Sequence, residues 1–131
     1  MANEIKVGDY IRTRKGSIGQ VTNIVEWGNR KKYLIHWNIG KTYYITGLTI
    51  IDNNSKISKI IKVGDYVNGQ KITKITKDPF IKEQIDLWTD RTIPFDGDYQ
   101  QERFIENEIE SVVTKEQFEK EQFEIVSYKV R

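Results

Sequence analysis

Basic side chains interleaved with aromatics are the residues in this sequence best suited to chemistry. Arg12, Arg14 and Lys15 precede a Gly-Ser turn, Arg30, Lys31 and Lys32 follow a Gly28-Asn29 pair, and Lys41 stands just before Tyr43 and Tyr44. Guanidinium and ammonium groups neutralise phosphates, and exposed rings stack on bases, so the pattern points to nucleic acid. Period-2 alternation is expected to place Arg12 and Arg14 on one strand face. Tyr33, Ile35 and Trp37 share a second face and are expected in a core, which leaves Trp27 and Tyr44 as the rings expected to be exposed. A competing acidic face is expected from Glu106, Glu108 and Glu110, which could engage a basic groove on a protein partner.

Catalytic patterns are absent. The single histidine, His36, cannot build a histidine-based metal site or a nucleophilic triad, and no phosphate-loop or dinucleotide fingerprint occurs. Asp96 and Asp98 with Glu102 could offer oxygens to a hard cation, but an Asp-Gly-Asp run is what tight turns select. The reading is therefore a non-enzyme with no metal and no cofactor. There is no cysteine, which excludes disulfides and thiolate sites.

The net charge of +2 conceals an asymmetry. Residues 1–82 hold 15 Lys/Arg against 6 Asp/Glu, and residues 83–131 hold 6 against 13. The first part is thus suited to anions and the second to cations, or each neutralises the other.

The elements that must position these groups follow from a repeat. Ile5–Ile11 reads IKVGDYI and Ile61–Val67 reads IKVGDYV. The likeness continues from Gly19-Gln20-Val21-Thr22-Asn23-Ile24 to Gly69-Gln70 and then Ile72-Thr73-Lys74-Ile75, with Lys71 inserted. A period of 56 residues suits one small β-unit. Units of 1–55 and 56–131 are expected, divided at the polar run Asp52–Lys56. β-Branched and aromatic residues abound and alanine occurs once, so strands are favoured. Strands are expected at 7–14, 18–27, 31–37, 42–46 and 48–51, then at 63–67 and 71–77. Residues 80–89 fit a strand better than a helix, and 94–98 reads as a loop. Thr114 and Gln117 form a capping box, and Val113 and Phe118 stand at hydrophobic-staple positions. A short helix from 115 to about 122 is expected, with a closing strand over 124–130.

Val7-Gly8-Asp9-Tyr10-Ile11, followed by Gly16, Gly19 and Val21, resembles the KOW and Tudor-like branch of SH3-like barrels. So does Tyr33–Trp37 followed by Asn38-Ile39-Gly40. This resemblance covers residues 5–52 and implies a mainly β fold of two tandem small SH3-like barrels, the second with a short helix before its last strand. The whole chain also resembles small phage and prophage proteins of low-GC Gram-positive bacteria. It shares a Val63–Gly69 opening and a Val113–Glu119 tail with them. That second resemblance implies a host-cell cytoplasmic setting, in keeping with an N-terminus lacking a signal-peptide core and a chain lacking a membrane-length apolar run. The expected function is a phage-type binding protein engaging nucleic acid or a host nucleoprotein through its basic face. The alternatives are an anti-defence, anti-CRISPR-like inhibitor that binds a host defence protein directly, or a sponge for a nucleotide signal.

Overall fold

A computed structural model describes residues 4–120, with Trp27 described by its backbone alone. The chain is mainly β. β1 (Tyr10–Thr13), β2 (Ile18–Trp27), β3 (Arg30–Trp37), β4 (Thr42–Thr46) and β5 (Ile50–Asn54) form an antiparallel sheet in the order β4-β3-β2-β1-β5. β6 (Tyr66–Val67), β7 (Gln70–Lys77), β8 (Ile85–Phe95), β9 (Asp98–Phe104) and β10 (Val112–Val113) form a second sheet in the order β10-β6-β7-β8-β9. Each sheet has the same spatial order: fifth strand, first, second, third, fourth. In each, a 3-10 turn joins the fourth strand to the fifth: Gly47–Thr49 in one, Glu106–Glu108 in the other.

The sequence repeat is a structural repeat. Asp9 N–H donates to the Lys6 carbonyl at 3.0 Å, and its carboxylate accepts from Lys6 N–H. Asp65 does the same with Lys62. Gly8 and Gly64 carry φ of 96° and 100° inside these turns, which a Cβ would penalise. The segments 7–9 and 63–65 are therefore turns, and the strands expected at Val7 and Val63 begin at Tyr10 and Tyr66. Lys71 is not an insertion: Tyr66 pairs with Lys71 as Tyr10 pairs with Gln20, and Val67 with Gln70 as Ile11 with Gly19, so the repeats differ in the length of the hairpin loop instead. Val21 N–H donates to the Asp9 carbonyl and Ile72 N–H to that of Asp65, each at 2.8 Å. Both second strands bulge at the next step, between Val21 and Asn23 and between Ile72 and Lys74.

Two local expectations are refined. Residues 79–84 form turns and the strand starts at Ile85, because the Asp78 carboxylate accepts from the N–H groups of Phe80 and Ile81 and curls the chain. Pro94 and Phe95 belong to β8 rather than to a loop; only Asp96-Gly97, with φ of 52° and 81°, turns the hairpin.

One core gathers Ile11, Val21, Ile35, Trp37 and Ile50, and a second gathers Ile60, Ile61, Val67, Ile72, Leu87 and Val112. Ile18 of the first sheet is buried in the second core, and Tyr10 packs against it. The two sheets are thus joined by apolar packing across the expected division near residue 55.

The capping box at Thr114 is present. Gln117 N–H donates to Thr114 Oγ1 at 3.2 Å, and Thr114 N–H donates to Gln117 Oε1 at 3.1 Å. The helix, α1, is described over 115–120. The Phe118 ring stacks on Tyr66, with centroids 4.3 Å apart, so the helix is clamped to the start of the second sheet. The strand expected over 124–130 lies outside the described residues. No helix among the described residues is long and apolar enough to cross a membrane.

Candidate nucleic-acid interface

Arg12 is not part of a basic surface. Its side chain is 2% exposed and bonds bidentately to Asp65, with Nη2–Oδ1 at 3.0 Å. The same guanidinium reaches the Ile60 carbonyl at 3.2 Å and Glu116 at 3.1 Å. Burial opposes the charge, but hydrogen bonding and attraction from Asp65, with Glu116 beyond it, outweigh that cost and raise the Arg12 pKa. The expected pairing of Arg12 and Arg14 on one face fails for a geometric reason. The β1–β5 register shifts between Arg12 and Thr13, so period-2 alternation breaks before Arg14, which is exposed.

The remaining basic residues are exposed but divided. Arg30, Lys31 and Lys32 lie at the start of β3 and Lys41 beyond its end, about 25 Å apart along the strand path. Lys15 sits in the β1–β2 turn. Tyr44 is 47% exposed on β4, paired with Leu34 on the sheet face opposite Ile35. It therefore shares no face with Tyr43, whose ring packs on Trp37. The exposure expected for Trp27 lies outside the described residues.

One part of the basic set has a shaped surface beside it. Arg30, Lys31, Tyr33, Thr46, Gly47 and Leu48 line an open groove of about 400 Å³. Gly47 creates the room: a Cβ there would stand 3.3 Å from Tyr33 Cε2. Tyr33 is half-buried, with one side on the first core and the other on the groove. Leu48 is 84% exposed at the rim. Among the described residues, neither Arg30 nor Lys31 has an ion-pair partner. Arg14 N–H donates to the Thr49 carbonyl at 2.8 Å, which brings Arg14 to the same 3-10 turn that carries Leu48. The structure thus joins Arg30 and Lys31 at the groove, ties Arg14 to the far end of the 3-10 turn by a backbone bond alone, and separates Lys41 and Tyr44 from the groove. Leu48 and Gly47 carry no legible signal: the strand expected over 48–51 starts only at Ile50, and Gly47–Thr49 form a 3-10 turn instead.

The acidic triplet is mostly engaged by the backbone. Glu106 accepts from the N–H groups of Ile57 and Ser58, at 3.2 and 2.8 Å, holding the 3-10 turn Ile57–Ile60. Glu108 accepts from Ile105 N–H at 3.0 Å. Glu110 is exposed at the edge of a 410 Å³ cleft between the sheets, which Tyr10, Gln20, His36 and Trp37 also line. Asp96, Asp98 and Glu102 are not gathered for a cation. Asp96 occupies the hairpin turn, Asp98 accepts from Tyr99 N–H, and Glu102 is buried against Thr89 and Arg91.

Sequence reading also missed a cluster on the second sheet. Trp88 lies between Lys74 and Arg103, whose cationic groups stand 5.2 and 5.7 Å from the ring centroid, and its Nε1–H donates to Thr76. Arg103 pairs with Asp86 at 3.2 Å, so this cation is already neutralised.

Comparison of the chain with protein-family models, curated proteins and solved structures finds no match.

Proposed function

We propose that this chain is a non-catalytic binding protein of two tandem SH3-like units that engages nucleic acid, free or within a nucleoprotein, through the groove beside the 3-10 turn Gly47–Thr49. The repeated strand order and the paired 3-10 turns support the SH3-like reading of both halves. One observation carries the functional reading: Arg30 and Lys31, without ion partners among the described residues, flank an open groove with Tyr33 in its wall and Leu48 at its rim. Cations supply phosphate attraction, and the ring and leucine supply an apolar surface for a base. The acidic-face alternative has less to stand on, since Glu106 and Glu108 already serve backbone caps.

Fluorescence anisotropy with labelled single-stranded and duplex oligonucleotides across a salt series tests this. The expected result is binding that weakens with salt and is much weaker in Arg30→Glu/Lys31→Glu. Binding unchanged by that double substitution, in a variant with a native melting curve, overturns the groove assignment.

A further inference from the structure

The β8–β9 hairpin carries a surface that the groove reading does not use. From Thr92 to Gln101 every residue except the half-buried Ile93 is exposed, and the ribbon ends in the Asp96-Gly97 turn. Phe95 is 61% exposed and Tyr99 72%, on a two-stranded arm with both edges unpaired, since β7 reaches along β8 only to Thr89. Large exposed rings on an unpaired edge are what a chain keeps for a partner. Pro94 pairs with Tyr99, and Phe95 with Asp98. Adjacent pairs face opposite sides of a ribbon. Apolar groups therefore lie on both faces, which suits insertion into a groove better than contact with a flat surface.

Charge names the occupant. Residues 92–101 hold two carboxylates, Asp96 and Asp98, and no Lys or Arg. The groove of the first sheet is lined by two cations and no carboxylate, with Tyr33 and Leu48 as its apolar part. Aromatic and acidic groups on the arm thus match apolar and basic groups in the groove. We infer that the β8–β9 arm of one copy seats in the Arg30–Lys31 groove of a second copy, so that the protein associates with itself head to tail. Each copy offers one arm and one groove, so reciprocal seating closes a dimer and one-way seating extends a chain. A single arm buries less than a standard interface, so assembly is expected to be weak and concentration-dependent. The inference stands apart from the nucleic-acid reading but shares its groove, so the arm and an oligonucleotide should compete.

Light scattering across a concentration series, at low and high salt, measures the assembly. The wild-type mass should rise above the 15.5 kDa monomer with concentration and fall back with salt. Two charge-reversed variants make the test specific: Arg30→Glu/Lys31→Glu and Asp96→Lys/Asp98→Lys. Alone, each pairs like charges and should remain monomeric. Mixed, the basic arm of one meets the acidic groove of the other, and its basic groove meets the other's acidic arm. Assembly should therefore return in the mixture. All four positions are exposed, and melting curves are the check that both variants fold. A mixture that stays monomeric, variants that assemble like wild type, or a wild type that stays monomeric at all concentrations each overturns the inference. Oligonucleotide binding retained by Asp96→Lys/Asp98→Lys separates this outcome from the fate of the groove reading.

Discussion

Arg12 of the first repeat and Asp65 of the second are joined by two parallel hydrogen bonds, and both side chains are almost wholly buried. The repeat makes the pairing asymmetric. Asp9, the counterpart of Asp65, accepts from Asn53 within its own sheet. Asn68, the counterpart of Arg12, donates to the Glu108 carbonyl and accepts from Glu110 and Ser111 N–H groups. Two copies of one turn have thus diverged, and one of them carries the joint between the sheets. Lys115 N–H also donates to Asp65, which draws α1 into the same joint.

Removing Arg12 should be costly. Arg12→Ala leaves a buried carboxylate at Asp65 without its main counter-charge, a loss of about 3–5 kcal/mol. Asp65→Ala should cost at least as much, because Lys62 and Lys115 N–H groups lose their acceptor too. The double substitution should cost much less than the sum, since both act on one network. Urea denaturation of the four proteins measures this; simple additivity would show that the pair is not coupled.

Thr114 does more than cap. It is fully buried, accepts from Gln117 N–H, and donates its hydroxyl to the Gly16 carbonyl. Thr114→Ala should therefore cost about 2 kcal/mol, from the lost cap and a stranded carbonyl. Thr114→Ser should recover most of it. Phe118→Ala should cost about 1–2 kcal/mol, below the value for a fully buried ring, because Phe118 is half-buried on Tyr66. Thermal melts of the three variants rank these effects, and equal losses for serine and alanine would contradict the cap.

The turn at 78–84 should be acid-sensitive. Hydrogen bonds from Ile81 and Phe80 N–H groups, helped by Arg103, hold the Asp78 carboxyl below its usual value near 3.8. A lowered folded-state pKa means this carboxylate supports the turn fully above the ordinary value. The support fades as pH falls through the lowered one. Protection factors of the Phe80 and Ile81 amides, referred to the intrinsic exchange rate at each pH, should fall at acid pH in the wild type. In Asp78→Ala they should be low already at pH 6. Carboxyl NMR titration of Asp78 checks the direction, and a value at or above the ordinary range would refute it.

Position within the first sheet should decide which cations matter to nucleic acid. Arg30→Glu/Lys31→Glu should reduce the log–log salt slope by about 2, one unit for each phosphate no longer neutralised. Arg14→Glu should weaken binding measurably, because Arg14 adjoins the same 3-10 turn. Lys41→Glu should change affinity by only about twofold, since it lies beyond a Debye length from the groove along β3. Anisotropy titrations at two salt concentrations compare the three. Equal losses would mean a diffuse field rather than a site.

The sequence by itself determined what short-range physics controls. The identical turns at Gly8-Asp9 and Gly64-Asp65 follow from glycine at positive φ beside a carboxylate three residues from its N–H partner. The Thr114–Gln117 box is read the same way, because its interactions close within a few residues. The core face Tyr33, Ile35, Trp37 follows from alternation along one regular strand. What only the tertiary structure decided is how distant groups meet. Arg12 looks like any surface arginine until Asp65, 53 residues on, arrives to neutralise it. Glu106 looks like a solvated acid until Ile57 and Ser58 present N–H groups 49 and 48 residues away. Arg30 and Leu48 come to one groove because the 3-10 turn Gly47–Thr49 leaves β4 beside the start of β3. Charge and exposure are properties of surroundings rather than of residue type. Where long-range packing supplies the surroundings, only the folded chain reveals them.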